Sequence, residues 1–246
     1  MKINKSYLCT RNCYDGNSPT WIVVHQTGNN KVGADAKAHA LSLFNGNING
    51  MSWHFVVDDK SAYQNLPINK GAWHVGVNYG GRLFGTVNNR NSICVESCIQ
   101  AGYNANNAFN NTVEVVKQLM AEYNIDADHV VSHYDVCAKN CPQQIREAGK
   151  WTAFKAALTD LQIKVGGKYK LLVNIYFRKT PSGEYVKWKE LSESAKKKST
   201  KKSKSKLKKG NTVQALEVKT QSNGNIWIRI KNGWLCVKYK GKYRVK

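Results

Sequence analysis

No run of this chain approaches the about 20 consecutive apolar residues that a helix needs to cross a bilayer. The start, Met1-Lys2-Ile3-Asn4-Lys5, lacks the apolar core of a secretory signal. A helical membrane span is thereby excluded, and the chain is expected to be made and folded in a cytoplasm. Acidic residues are also scarce: 16 Asp and Glu stand against 38 Lys and Arg in 246 residues, a formal net charge of +22. The imbalance is local, since residues 1–158 hold 14 Lys and Arg against 11 Asp and Glu, whereas residues 159–246 hold 24 against 5. This predicts a near-neutral globular unit joined to a basic module with a polyanionic partner: nucleic acid, an acidic membrane, or the anionic polymers of a cell wall. A complete disulfide framework is missing as well, because the seven cysteines are odd in number. Cys9 and Cys13 are near enough in sequence to bridge, but free buried thiols are the preferred reading.

The first 158 residues alternate strand and helix signals, the pattern of an α/β domain. Strands are expected at Trp21 to His25, Trp53 to Val57, Ser92 to Ile99 and Val130 to His133, with a turn at Asp58-Asp59-Lys60. Helices are expected at Ala34 to Phe44, at Asn111 to Tyr123, and at Gln143 to Leu158, where Ile145, Trp151, Phe154 and Leu158 face inward. A mixed central β-sheet flanked by helices follows. Past Gly166-Gly167 the pattern turns to short strands, with hairpin signals at Asn223-Gly224 and Asn232-Gly233 around Ile226 to Ile230. The expected organisation is a domain over residues 1–160, a linker at 161–167, and a small all-β unit over 168–246. Inside that unit, residues 195–209 hold nine lysines, a run expected to be a mobile loop that cannot pack.

Two histidines, His25 and His133, are expected at strand ends, where an open α/β sheet gathers a site. Cys141 lies eight residues beyond His133. Together they could supply two imidazoles and a thiolate, a set that leaves Zn²⁺ one open position, as catalytic rather than structural zinc sites do. The bland alternative is two ordinary polar histidines and a buried loop cysteine. Asp135, two residues past His133, could orient a ligand ring. Glu96 stands in an otherwise uncharged strand, where a carboxylate is costly unless it faces a cleft or a partner. It reads as a general base or as half of a structural salt bridge. Lys139 is brought near Cys141 by the same loop; it could stabilise an oxyanion or simply be solvated.

Five segments in order carry a family resemblance: Ile22-Val23-Val24-His25-Gln26-Thr27, Trp53-His54-Phe55-Val56-Val57-Asp58, Ala72-Trp73-His74-Val75-Gly76, Asn91 to Glu96, and His133-Tyr134-Asp135 with Lys139 and Cys141-Pro142. Over residues 18–158 the chain resembles the zinc-dependent N-acetylmuramoyl-L-alanine amidases, the phage endolysins and bacterial wall amidases related to peptidoglycan recognition proteins. The resemblance implies Zn²⁺ held by His25, His133 and Cys141, with Glu96 and Lys139 as the catalytic pair. Trp53, Trp73 and His74 would contact substrate. Where many relatives have Tyr, this chain has Trp53, whose indole donates a hydrogen bond but exchanges no proton, so acid–base work falls to Glu96. His54 reads as a structural or groove residue rather than a ligand; His39 and His129 have no motif support and read as surface or core histidines.

The C-terminal segments Lys208 to Val213 and Asn225 to Trp234 resemble the bacterial SH3-like barrels that follow catalytic domains in lysins. Trp234, Tyr239 and Lys208 are the wall contacts this implies, although Trp227 and Trp234 could equally be core. The lysine run would favour teichoic acid or other wall phosphates by a salt-sensitive attraction, or would be a solvated spacer. The implied activity is hydrolysis of the bond between N-acetylmuramic acid and L-alanine in peptidoglycan. An endolysin held in the host cytoplasm before release fits. The rival reading on the same fold is a non-catalytic peptidoglycan receptor, and Cys141 argues against it, because relatives that only bind lack that ligand. No nucleic-acid partner is expected, since the charge lies in one loop without interleaved aromatic residues.

Overall fold

Short apolar strands buried on both faces build the first unit. In the computed structural model, which describes residues 1–147 and 149–246, the chain divides into two units, Met1–Asp160 and Leu161–Lys246. The first contains β1 (Cys13–Asp15), β2 (Trp21–Gln26), α1 (Ala36–Phe44), β3 (Phe55–Val57), β4 (Ala62–Gln64), β5 (Lys70–Ala72), β6 (Ser92–Ser97), α2 (Ala105–Tyr123), β7 (Val130–Ser132), α3 (His133–Cys137), α4 (Gln143–Glu147) and α5 (Lys150–Thr159). Its sheet runs β4-β3-β6-β2-β7, with β3, β6, β2 and β7 parallel and β4 antiparallel on the edge.

The two-residue period gives the sheet two different faces. Ile22, Val24, Phe55, Val57, Ile93 and Val95 pack with Val113, Val116 and Leu119 of α2 and with Phe154 and Leu158 of α5. The opposite face carries Val23, Val56 and Cys94; part of it is covered by Ala36, Ala40 and Leu43 of α1. His25 and Glu96 continue the second face, so they leave the core where the strands end. The parallel register pairs them directly, His25 with Glu96.

Helix α2 starts six residues earlier than the sequence predicts. Asn104 caps it, accepting from Asn107 N at 3.0 Å, and the Asn-rich first turns hide the helix because Asn is a poor former in a helix interior. It ends at Asn124, whose left-handed φ of 52° stops the ladder. The single helix expected over residues 143–158 is two, α4 and α5, with Gly149 at φ 65° as the N-cap of α5; Ala148 lies outside the described residues. No helix among the described residues is long and apolar enough to cross a membrane. All seven cysteines are free, so Cys9 and Cys13 do not bridge.

The second unit is mainly β: β8 (Lys168–Lys170), β9 (Ile175–Tyr176), α6 (Glu193–Lys197), β10 (Lys206–Leu207), β11 (Thr212–Gln214), β12 (Glu217–Thr220), β13 (Ile226–Ile230), β14 (Gly233–Tyr239) and β15 (Lys242–Tyr243). The last four form one antiparallel sheet, and β8 pairs β11 as β9 pairs β10. Two expectations are corrected here. Residues 161–167 are no free linker, because Leu161 and Ile163 pack on this unit's core and the Tyr169 hydroxyl accepts from Lys164 N at 2.6 Å. Nor is the lysine run unpacked. Ala195, Ser199, Ser205 and Leu207 are buried between its lysines, Ser199 Oγ donates to Ala195 O at 2.6 Å, and Lys206–Leu207 is a strand. The lysines mask a spaced set of small and apolar residues that hold the segment down.

Candidate metal centre and active site

His25 reaches the site because β2 ends there, whereas His133 opens α3 immediately after β7. That helix start is fixed by a capping box: Ser132 Oγ accepts from Asp135 N at 3.1 Å, and Asp135 Oδ2 accepts from Ser132 N at 3.0 Å. Asp135 is therefore occupied by the cap and by Arg82 at 3.0 Å, and it does not orient a ligand ring as the sequence suggested. Ala138, at φ 62°, turns the chain after α3, and Tyr134 N donates to Cys141 O at 2.9 Å to close the loop. This brings Cys141 back beside His25, with Sγ 3.9 Å from His25 Nδ1.

His25, His133 and Cys141 can offer three ligand atoms within 4.8 Å of one another. A second set, His25, His74 and Cys94, meets the same distance test. Hydrogen bonding decides between them. His74 has both ring nitrogens engaged, with His25 at 3.1 Å and with Ser92 Oγ at 3.1 Å. Both nitrogens of His133 are buried with no partner, a costly arrangement that a bound cation resolves. Gln26 N donates to Cys141 Sγ at 3.3 Å, the polarity a thiolate needs. The residues of the first set thus fit Zn²⁺, with a position left open.

Burial dominates the ionisation of these groups. It pushes the Cys141 thiol up to about 12, reinforced by Glu96 and opposed by Gln26 N–H, so a cation bound there would have to supply the drive for deprotonation. Burial brings His133 down to about 4, with Lys139 adding to it, and holds His25 well below its ordinary value, with His133, His74 and Lys139 adding. It raises Glu96 to about 8 against the pull of Lys139. Glu96 Oε1 lies 4.0 Å from His25 Nδ1, and Oε2 is buried without a partner. A carboxylate next to a cation site, otherwise unpaired, has the environment of a proton carrier rather than of a structural salt bridge.

His54 is fixed on both sides by backbone: Nδ1 accepts from Cys94 N at 3.0 Å, and Nε2 donates to Lys70 O at 2.9 Å. It is fully buried, and burial brings it down to about 4. Below pH 6.5 the unfolded chain protonates rings that the fold keeps neutral in His25, His54, His74 and His133. Glu96 alone opposes them, binding its proton more tightly when folded. Stability of the metal-free protein is therefore present above pH 6.5 and lost as pH falls toward 4, His54 alone contributing about 3 kcal/mol. Melting temperatures of chelator-treated protein between pH 7 and 4 check this; a flat or rising profile on acidification would contradict it.

Two recesses meet at this centre. One, of about 220 Å³, is lined by Trp73, His74, Asn89, His133, Lys139 and Met51 among others. The other, of about 410 Å³, includes Glu96, Trp53, His39, Thr27 and again Met51. Trp73 is exposed at the first, whereas Trp53 is only 5 % exposed and its Nε1 donates to Asn65 Oδ1 at 2.9 Å. Its indole proton is thus already spent inside the fold. The segment carrying Trp73 and His74 is held by Asn89, whose Oδ1 accepts from Val75 N at 2.7 Å. Farther along, Tyr79 N donates to Cys137 O at 2.9 Å, and Gly81 is required there because a Cβ would lie 2.1 Å from Val136 O. Asn89 and Ser92 were missed in the sequence, where nothing set them apart from other polar residues, whereas His39, set aside there for want of a motif, lines the second recess.

The second unit has a cleft of about 880 Å³, walled by Tyr176, Tyr185, Trp227, Tyr239 and Tyr243, with Arg178, Arg244, Lys240 and Lys242 and no carboxylate. Arg178 lies 3.5 Å over Tyr185, and Lys206 lies 4.2 Å over Tyr176. Basic and aromatic residues do interleave here, contrary to the sequence expectation that the charge sits in one loop. Of the three residues expected to touch the wall, Tyr239 lines this cleft; Trp234 and Lys208 do not.

An α/β sheet at whose strand ends two imidazoles, a thiol and a buried carboxylate come together has the make-up of a hydrolase that could hold a cation beside a proton carrier. Residues 15–144 match the family described as N-acetylmuramoyl-L-alanine amidase, and the chain belongs to that family. It is 41 % identical over 141 residues to the N-acetylmuramoyl-L-alanine amidase XlyA of Bacillus subtilis (strain 168), covering 57 % of this chain and 44 % of the relative. It is 39 % identical over 137 residues to CwlH, an amidase of the same name from the same strain, covering 56 % of this chain and 52 % of CwlH. A solved mutant endolysin from Bacillus subtilis matches with a TM-score of 0.55 and 38 % identity, over 64 % of this chain and 99 % of its own. The chain thus spans about half the length of the curated relatives it matches.

Proposed function

We propose that this protein is a zinc-dependent N-acetylmuramoyl-L-alanine amidase that cuts the amide between the lactyl group of N-acetylmuramic acid and L-alanine in peptidoglycan. The observation that carries the reading is the unpartnered, buried His133 ring beside His25 and Cys141, in a chain of this family. When bound by these three residues, Zn²⁺ supplies Lewis-acid polarisation of the scissile carbonyl and acidifies the attacking water. Glu96 takes the water's proton and returns it to the leaving amine. Its raised affinity for a proton suits the second half of that task, and a neighbouring cation favours the ionised form needed for the first. Lys139, at the rim of the smaller recess, stabilises the oxyanion. Trp73 and His74 line the same recess and contact the substrate, while Trp53 backs the Glu96 side.

The deciding experiment incubates the protein with purified walls and identifies the end group released. Free N-terminal L-alanine is the expected product; new reducing sugar ends would make the enzyme a glycosidase, and binding with no new ends would make it a receptor.

The second unit is proposed as an SH3-like wall-binding module, and its cleft supports that assignment better than the lysine run. Four cations and no acid in an aromatic cleft favour anionic wall polymers such as teichoic acid. Binding to walls is expected to weaken steeply with salt, and Arg178→Ala to weaken it further; tighter binding to single-stranded DNA than to walls at physiological salt would refute the assignment. A relative described as an endolysin supports that reading, and with it we propose that the protein is held in a host bacterial cytoplasm until it is released to the wall.

A further inference from the structure

The groups behind His25 form a row of hydrogen bonds that runs in one direction. It begins at Asn88 O, a carbonyl that can only accept. Ser92 Oγ lies 2.6 Å from it and donates its single proton there, this being the shorter of its two contacts. The other contact, 3.1 Å to His74 Nε2, must then be one in which the hydroxyl accepts, so the His74 proton sits on Nε2. Near neutral pH an imidazole ring has a single proton to place, which leaves Nδ1 as a lone pair. That lone pair is 3.1 Å from His25 Nε2, and two bare nitrogens would not approach so closely without a proton between them. His25 therefore donates from Nε2, and its Nδ1 is bare. Nδ1 is the atom that faces Cys141 Sγ at 3.9 Å and Glu96 Oε1 at 4.0 Å.

We propose that Ser92 and His74 are positioning residues that fix the tautomer of His25, so that its Nδ1 lone pair is aimed at the metal position before any metal arrives. Strand β6 makes the arrangement economical. Ser92, Cys94 and Glu96 lie on one face of it, so one strand supplies both the anchor of the row and the proposed base. His54 shows the contrast, since backbone groups hold both its nitrogens and leave no lone pair to offer. A neutral imidazole has one proton to place, and a ligand ring with that proton on the wrong nitrogen must lose or move it before it can bind.

This inference rests on the reading of His25, His133 and Cys141 as metal ligands, and its test separates the two. In the metal-free full chain labelled with ¹⁵N-histidine, long-range ¹H–¹⁵N spectra at neutral pH are expected to show His25 and His74 each protonated at Nε2. A proton on His25 Nδ1 overturns the proposal, whatever the protein's affinity for zinc. If instead the tautomer is as expected but the protein takes up no Zn²⁺, the metal reading fails and the tautomer relay stands. Ser92→Ala removes the acceptor, and is expected to mix the His25 tautomers and weaken Zn²⁺ binding about 10- to 100-fold, with Ser92→Thr restoring both. An unchanged His25 spectrum in folded Ser92→Ala overturns the role of Ser92. Should that variant fail to fold, the wild-type spectrum still decides.

Discussion

Glu96→Gln is expected to retain zinc and lose wall lysis. The substitution keeps the shape of a side chain that is largely buried at the end of β6 and leaves His25, His133 and Cys141 untouched, so the metal set survives. What it removes is the proposed carrier of the proton from water to the amine. General acid–base groups contribute about 10²- to 10⁴-fold to rate, and the loss is expected in that range. Zinc content by atomic absorption and clearing of a suspension of purified walls measure the two halves. If the variant clears walls at the wild-type rate, Glu96 is not the base. If it loses zinc as well, the carboxylate belongs to the metal set instead.

The second large effect is expected at Cys141, where Ser keeps the volume but offers a hydroxyl that does not ionise near neutrality. Cys141 is 8 % exposed, and the Gln26 N–H aimed at its sulfur has meaning for an anion. Cys141→Ser is expected to fold and still bind walls through the second unit, while its zinc affinity falls by more than the about 10- to 100-fold that loss of an outer partner costs. Lysis should fall with it and recover only in part at high zinc. Titration with zinc against a competing chelator, beside the lysis assay, reads both. Wild-type affinity in the serine variant would mean that the metal, if any, sits elsewhere, with His25, His74 and Cys94 as the alternative set.

Much of the site was legible because its members have strong local signals. His25 ends an apolar run, Glu96 is the only charge in its strand, and His133 and Cys141 share a short loop. Strand ends in a parallel sheet converge, so placing those residues on strands already placed them near one another. Less legible was the division of labour among polar residues. Asp135 looked like a partner for a ligand ring, but a helix begins at His133 and its cap takes the carboxylate. The lysine run looked unpackable because composition averages over spacing. Ala195, Ser199, Ser205 and Leu207 are spaced so that they turn inward while the lysines stay in solvent. The same averaging hid the second unit's cleft, whose tyrosines and arginines come from separated segments.

The sequence by itself determined the α/β order, the residue types at the candidate metal position and the basic second unit, because each is written in local periodicity, single-residue chemistry or net charge. Only the tertiary structure decided which donors face one another. The parallel register sets His25 against Glu96, and the loop closed by Tyr134 and Cys141 brings the thiol back to β2. The row from Asn88 O through Ser92 and His74 depends on three segments distant in sequence meeting within hydrogen-bond reach. A proton's position on a ring is set by what the ring touches, and the linear chain does not contain that contact.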